Sequence, residues 1–265
     1  PAAEIYDEEG IVMVTAASTV PELTEKGYKH IFRTIGTDLQ SAPVSAKYIA
    51  EVLKPQRIAL LHDKQAYGQG LAEGVQAALK EAGIEPAIME GVNKGQTDFA
   101  ALITKLKNAN IDFVYWGGYH PELGLIIRQG AAQGFAPAYM GADGVDNQDI
   151  FAIAGPAADG LLATVPMNFA DQPENAEIVA AIKAKGGEPN GPFIMPAFSA
   201  VQVIVDAANA IKSDDPEAIA AELHTGKSYT TPIGTVAFEA NGNLKDFRSV
   251  VYALRSDGSR DLKTK

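Results

Sequence analysis

The sequence predicts an α/β fold built from doubly wound parallel sheets, and two observations lead to this class. Short β-branched or aromatic runs alternate with segments of helical periodicity along most of the chain. The runs are continuously apolar, which is typical of parallel strands covered on both faces. Strands that alternate with helices in this way imply right-handed crossovers. The predicted strands are residues 10–15, 57–62, 112–116, 136–140 and 160–165.

Helices are predicted between the strands from apolar spacing and from end signals. Residues 2–9 resemble the tail of a helix that leads into the first strand. Leu71, Val75 and Leu79 lie four residues apart, and Gly83 is a stop signal after them. Three more helices are expected to begin at an N-cap or a proline: Thr97, Pro121 and Asp215 mark these starts.

The last part of the chain departs from this alternation. Residues 198–211 are apolar nearly all round, so we expect neighbouring elements to bury this helix. Residues 231–239, the turn at 241–243 and residues 248–254 predict strand, turn and strand. Residues 257–258 form another predicted turn.

Composition and charge exclude several classes of function. The 265 residues suggest one large domain or two ordinary ones. The net charge of −11 argues against nucleic acid and against an anionic membrane surface as partners. No apolar run reaches the length of a membrane span, and the acidic start does not predict a signal peptide. Cysteine is absent, which excludes a disulfide scaffold and a thiol nucleophile.

The common catalytic and cofactor motifs are also absent. There is neither a nucleophile elbow nor a P-loop. Gly68, Gly70 and Gly74 open a helix after a strand, but their spacing fits helix packing better than dinucleotide binding. The histidines lie far apart without metal-binding spacing. We therefore expect no catalytic residue, no metal and no cofactor.

Residues suited to a small ligand follow the predicted strands, at the edge where open α/β sheets bind ligands. The first strand leads into residues 17–19, whose N–H groups and hydroxyls suit a carboxylate. Tyr67 and Tyr119 follow the next two strands, and Asp143 follows the fourth between glycines. A zwitterion needs such donors, aromatic walls and an anion. Tyr, Asp and Gly are also common in turns without a ligand, so position alone leaves both interpretations open.

Longer segments carry a resemblance to a known family. The stretches IYDEEGIVMVTAASTVPELTEKGY from Ile5, KPQRIALLHDKQAYGQGLA from Lys54 and NIDFVYWGGYHPELGLIIRQ from Asn110 resemble the branched-chain amino-acid (Leu/Ile/Val) periplasmic binding proteins, which are type I solute receptors of ABC importers. RTIGTD from Arg33 and MGADGV from Met140 add to the resemblance.

The resemblance implies two α/β lobes joined by a three-strand hinge, with the ligand cleft between them. Lobe one would hold residues 1–37 and 167–245, and lobe two residues 38–166 and 246–265. Members of the family begin further upstream, so lobe one is expected to be incomplete in this chain. The upstream stretch would supply lobe one's first strands, a serine-containing loop and the family's disulfide.

The resemblance also implies a role for individual residues. It places Ala17, Ser18 and Thr19 at the ligand's α-carboxylate and amino groups. It makes Tyr67 and Tyr119 the walls of the site and places Phe193 near the pocket for the ligand's side chain. Asp143 is the carboxylate that binds the ammonium group.

Asp143 departs from the family pattern, because the typical Leu/Ile/Val receptor has Glu at this position. The shorter side chain moves the carboxylate by more than about 1 Å, which is large for a charge-assisted hydrogen bond. The ligand is therefore expected to sit deeper, to bind through water, or to be a different small amino acid.

The resemblance implies a periplasmic amino-acid receptor that closes around a small aliphatic amino acid and delivers it to an ABC permease in the inner membrane. A monomer is expected, with neither nucleic-acid binding nor membrane insertion. The alternative is a ligand-sensing domain of a regulator or signalling receptor with the same fold.

Overall fold

The computed structural model describes residues 2–264 and has the predicted α/β fold. The helices are α1 Ala2–Glu8, α2 Glu22–Glu25, α3 Asp38–Tyr48, α4 Ala66–Glu81, α5 Ala100–Asn108, α6 His120–Ala132, α7 Asp149–Ala154, α8 Ala176–Ala184, α9 Ile194–Ile211 and α10 Pro216–His224. The strands are β1 Met13–Thr15, β2 Ile31–Arg33, β3 Ile58–His62, β4 Ile88–Gly91, β5 Phe113–Gly117, β6 Ala138–Ala142, β7 Leu162–Pro166, β8 Tyr229–Thr231, β9 Gly234–Val236, β10 Ser249–Leu254 and β11 Arg260–Leu262.

The described chain divides into two compact units. Unit one comprises residues 2–37 and Pro166–Arg248, and unit two comprises Asp38–Val165 and residues 249–264. The chain passes from one unit to the other after Thr37, after Val165 and after Arg248. Each unit therefore contains segments that are distant in the sequence.

Unit two is built on a sheet with the strand order β11-β10-β7-β6-β5-β3-β4. The run from β4 to β7 is parallel, with Leu61 opposite Trp116 in the β3–β5 pair. Every residue of β3, β5 and β7 is buried. Strands covered in this way need apolar side chains on both faces, which explains their continuous apolar runs.

The core of unit two lies between its sheet and the helices α3 and α4. Leu60 and Phe113 from the sheet pack with Val75 and Leu79 from α4 and with Ala46 from α3. The apolar residues at every fourth position, which predict α4, therefore lie on the face that this helix buries.

Unit one has two small sheets in its described part. β1 and β2 pair in parallel, and β8 and β9 form an antiparallel hairpin. Their core is a cluster around Phe32, Val203 and Phe238. The predicted lead-in helix at the start of the chain is present as α1.

The helix-end predictions are confirmed except at Thr97. Pro121 stands in the first turn of α6, and Asp215 caps α10 by accepting the Glu217 N–H at 3.0 Å. α5 begins after Phe99 instead, and the Phe99 N–H donates to Oε1 of Gln129 at 2.8 Å. A long-range side chain satisfies the donor that Thr97 was expected to cap.

The predicted C-terminal pairing is wrong, although its strands and turns exist. Residues 229–236 pair with each other as β8 and β9, and the turn at 241–243 closes only an isolated bridge between Phe238 and Leu244. β10 joins the sheet of unit two, where it pairs with β11 across the predicted turn at 257–258. Local turn signals could not show which sheet the strand enters.

The expectation that neighbours bury α9 on all sides is also wrong. Met195, Val203 and Ala207 are buried, whereas Phe198 and Val201 are 45% and 65% exposed. α9 contacts α10, β1 and β8 on its buried side. α9 is long and apolar enough to cross a membrane by the criteria of length and composition alone. Core helices of soluble proteins also meet these two criteria. The sequence predicts no membrane span here, because polar residues interrupt the apolar run of α9.

Candidate ligand-binding site

The carboxyl ends of β3 and β5 mark the place where the strand order of unit two reverses. β4 lies on one side of β3, whereas β5, β6 and β7 follow on the other side. Open α/β sheets bind their ligands at such a switch point. Tyr67 lies in the first turn of α4 after β3, and Tyr119 immediately precedes α6 after β5. The predicted wall tyrosines therefore lie at this edge.

Glycines let the three loops at this edge approach closely. A Cβ on Gly68 would overlap the carbonyl oxygen of Gly117, and a Cβ on Gly117 would overlap that of Gly68. A Cβ on Gly144 would lie 2.5 Å from the carbonyl oxygen of Gly118. The first turn of α4, the end of β5 and the segment after β6 can touch only because these positions lack side chains. Of the three glycines predicted to serve packing, Gly68 does so at this site and Gly74 lies against Ala42, whereas a Cβ on Gly70 would meet no atom within 4 Å.

Tyr67 and Asp143 form a hydrogen-bonded pair at the centre of this cluster. The Tyr67 hydroxyl donates to Oδ1 of Asp143 at 2.6 Å and accepts the Gly144 N–H at 3.0 Å. Tyr67 is buried, and Asp143 is partly buried. The pair joins the first turn of α4 to the end of β6, so the Asp143 carboxylate has a fixed orientation.

Burial shifts the pKa values of this pair upward. Desolvation raises the pKa of Asp143 to about 6, although the Tyr67 hydroxyl and nearby N–H groups oppose the shift. The pKa of Tyr67 is raised well above its usual value, first by burial and then by the neighbouring Asp143. At neutral pH the site therefore presents an anionic carboxylate held by a neutral phenol. Such a carboxylate can pair with an ammonium group.

Tyr119 supplies an accessible aromatic surface next to this pair. Its ring centroid lies 5.2 Å from that of Tyr67, with the rings inclined at 38°. Tyr119 is 44% exposed, and desolvation and then the charge of Asp143 raise its pKa. The two rings and the Asp143 carboxylate form one amphipathic surface in unit two.

The predicted carboxylate-binding residues Ala17, Ser18 and Thr19 lie in unit one, directly after β1. Ala17 and Ser18 are exposed and Thr19 is buried. The N–H groups of Ala17 and Ser18 donate hydrogen bonds to Oγ1 of Thr15, at 3.4 and 3.2 Å. The sequence predicts these N–H groups as free donors, but in the structure both already donate to the Thr15 hydroxyl. A ligand carboxylate would therefore have to replace that hydroxyl as their acceptor.

Arg33 holds this segment, and sequence reasoning gave it no role. Its side chain is fully buried and donates to the carbonyl oxygens of Ser18 and Val20, at 2.9 and 3.1 Å. It also donates to Oγ1 of Thr24 at 2.9 Å. The available signal was a charged residue at the end of the apolar strand Ile31–Arg33, where burial requires polar partners.

Phe193 is half-buried and stands at the N-cap of α9 in unit one. Thr34 links this end of the helix to β1, because its N–H donates to the Thr15 carbonyl at 2.9 Å and its hydroxyl to the Pro196 carbonyl at 2.8 Å. The structure thus brings together Tyr67, Tyr119 and Asp143 in unit two, and it places the other predicted residues in unit one.

These features define a class of protein. An α/β sheet with an aromatic and anionic cluster at its switch point is typical of proteins that bind a small polar ligand. The comparison with known proteins narrows this class: the chain belongs to the periplasmic binding protein family, whose model matches residues 1–259.

The chain is similar to a leucine-, isoleucine-, valine-, threonine- and alanine-binding protein of Pseudomonas aeruginosa. The two are 47% identical over 260 residues, which cover 98% of this chain and 69% of the relative. A solved leucine-binding protein from Thermotoga maritima, LivK, is 28% identical with a TM-score of 0.89, over 99% of this chain and 75% of the other. An ABC transporter substrate-binding protein from Desulfitobacterium hafniense, in complex with Leu, is 25% identical with a TM-score of 0.81, over 99% of this chain and 76% of the other.

Proposed function

We propose that this protein binds a small aliphatic amino acid, as its relatives do. The observation that carries the proposal is the hydrogen-bonded pair of Tyr67 and Asp143 at the switch point of unit two. A carboxylate that is partly buried and held by a phenol is suited to an ammonium group, because it is oriented before the ligand arrives. The names of the relatives supply the ligand class, which includes Leu, Ile, Val, Thr and Ala.

Each part of the amino acid has a candidate partner. The α-ammonium group pairs with Asp143, and the rings of Tyr67 and Tyr119 cover the apolar part of the ligand. The α-carboxylate takes the N–H groups of Ala17 and Ser18 from the Thr15 hydroxyl, with Thr19 beside them. Phe193, at the start of α9, is proposed near the ligand's side chain.

We propose that the two units act as the lobes of a hinged receptor. The candidate partners of the ammonium and carboxylate groups belong to different units, so one ligand that engages both sets would stabilise a closed state. The chain's three passages between the units are the proposed hinge positions. The ligand is bound and released, and no bond in it is broken.

The proposed partner is an ABC permease in the inner membrane, to which the protein delivers its ligand in the periplasm. The family and the transporter-associated neighbour from Desulfitobacterium hafniense support this setting. A shuttle is expected to be monomeric with and without ligand. Gel filtration tests this directly, since a ligand-dependent change of oligomeric state would favour the sensing domain instead.

A thermal-shift screen against the natural amino acids, followed by calorimetry on each hit, tests the binding function. We expect Leu, Ile, Val, Thr or Ala to raise the melting temperature, because a ligand bound to the native state stabilises it by mass action. Asp143→Ala should abolish the shift, whereas Asp214→Ala, at an exposed carboxylate of unit one, should retain it. A protein that melts cooperatively and responds to none of these amino acids would contradict the proposal.

A further inference from the structure

Trp116 is the only tryptophan of the chain, and it lies beneath the loop that carries Tyr119. Its side chain is fully buried at the end of β5. The indole Nε1–H donates to the carbonyl oxygen of Tyr119 at 2.9 Å, and thereby closes the turn made by Gly117 and Gly118. The bond fixes the backbone of Tyr119, a residue that is itself 44% exposed.

The indole ring also sets the path of Gly118. A Cβ on Gly118 would lie 2.8 Å from Cζ2 and 2.9 Å from Nε1 of Trp116, so the backbone rests directly against the ring. The carbonyl oxygen of Gly118 in turn lies against Gly144: a Cβ added to Gly144 would be only 2.5 Å from this oxygen. Contact therefore continues from the indole, through Gly118, to the residue next to Asp143.

The geometry points to Trp116 as a positioning residue for amino-acid binding: its indole N–H and ring edge hold Tyr119 and the backbone beside Asp143 in place. This inference rests on the proposed function. Trp116 acts through these residues, because its buried side chain donates its N–H inside the protein. A rigid wall lowers the ordering cost of binding, so loss of the indole should mainly speed ligand dissociation.

Trp116→Phe removes the indole N–H and keeps an aromatic ring in the core. We expect it to raise the Kd for the best-bound amino acid about tenfold, mostly through a faster dissociation rate. Phe113→Leu is the matched control, because Phe113 is a buried aromatic on the same strand, in the core cluster around Leu60 and Val75. The control should lower the melting temperature and change the Kd less than about twofold.

These variants separate positioning from general stability. An unchanged Kd in Trp116→Phe, or an equal loss of affinity in Phe113→Leu, would overturn the inference. Failure of the wild-type protein to bind any amino acid would instead contradict the proposed function, so the two failures are distinguishable.

The wild-type protein offers a second test that needs no variant at position 116. A single tryptophan gives a single indole N–H resonance in a ¹H–¹⁵N spectrum. We expect this proton to exchange slowly with water and its resonance to shift as ligand saturates the site. In Tyr119→Ala the bond to the backbone carbonyl persists, so protection should remain while the ligand-induced shift decreases. Fast exchange, or a resonance that ligand does not move, would overturn the inference.

Discussion

The hydroxyl of Tyr67 donates a 2.6 Å hydrogen bond to Oδ1 of Asp143, a residue 76 positions further along the chain. The same oxygen of Tyr67 accepts the Gly144 N–H. One phenol thus joins the start of α4 to the end of β6 and orients the carboxylate proposed for the ligand's ammonium group.

Tyr67→Phe should weaken amino-acid binding by about 1–2 kcal/mol, because both Asp143 and the Gly144 N–H lose a hydrogen-bond partner. Calorimetry at neutral pH measures the change. Tyr139→Phe is the control, since the buried Tyr139 hydroxyl makes no hydrogen bond to any residue between 2 and 264. Equal affinities in the two variants would show that the Tyr67 hydroxyl does not orient the site.

Binding should weaken as the pH falls through about 6, where Asp143 becomes protonated. The ligand's ammonium group pairs with the ionised carboxylate, and the ligand itself does not titrate between pH 5 and 8. We expect about a tenfold loss of affinity between pH 7.5 and pH 5, measured by calorimetry in buffers of matched ionic strength. An affinity that stays constant across this range would exclude a titrating Asp143 as the ammonium partner.

Asp143→Asn should stabilise the ligand-free protein at pH 7.5 by about 1–3 kcal/mol while it abolishes binding. Burial raises the pKa of Asp143 from 3.8 to about 6, so the native state holds its proton more tightly than the unfolded state. The ionised carboxylate therefore costs stability as the pH rises from about 4 to 6, and the full cost is present above pH 6. The advantage of Asn should shrink towards pH 4.

Chemical denaturation of both proteins at pH 7.5 and pH 4.5 checks this prediction. Asp214→Asn removes an equal charge at an exposed position and should leave the pH dependence of the wild type unchanged. If Asp143→Asn is less stable than the wild type at pH 7.5, the carboxylate's hydrogen bonds outweigh its desolvation and the prediction is wrong.

Asp143→Glu should change the affinities for Leu, Ile and Val relative to those for Thr and Ala. The added methylene moves the carboxylate by more than about 1 Å, beyond the position that the Tyr67 hydroxyl fixes in this protein. Competition calorimetry with the five amino acids gives the ratio of affinities. An unchanged ratio would show that the length of this side chain does not set the ligand preference.

Thr24→Val should destabilise the protein by about 1–3 kcal/mol and weaken ligand binding. The Thr24 hydroxyl accepts from Arg33 and donates to Oδ1 of Asn243 at 2.8 Å, so its loss removes one hydrogen bond from each of these two residues. Thr104→Val, on the exposed side of α5, is the control of equal shape. Denaturation and calorimetry on both variants separate the two effects. Full affinity in Thr24→Val would mean that residues 17–19 keep their position without this bond.

The sequence by itself determined the α/β alternation, the buried strands and most helix ends. Continuous apolar runs predicted β3, β5 and β7, and the first turns of α6 and α10 follow from a proline and a capping aspartate. The rule that ligands bind at strand ends singled out Tyr67, Tyr119 and Asp143, which the structure places in one cluster. These signals are local, because each depends on residues within a few positions of one another.

Only the tertiary structure decided which local elements meet. In it, β10 pairs in the sheet of unit two and one face of α9 is exposed. The buried Arg33 finds its hydrogen-bond acceptors in residues 18–24. The tertiary structure also joined Tyr67 to Asp143 and placed Trp116 under Tyr119. Periodicity and capping signals are local and do not encode contacts between elements. Those contacts depend on how the surfaces of helices and strands distant in the sequence pack against one another.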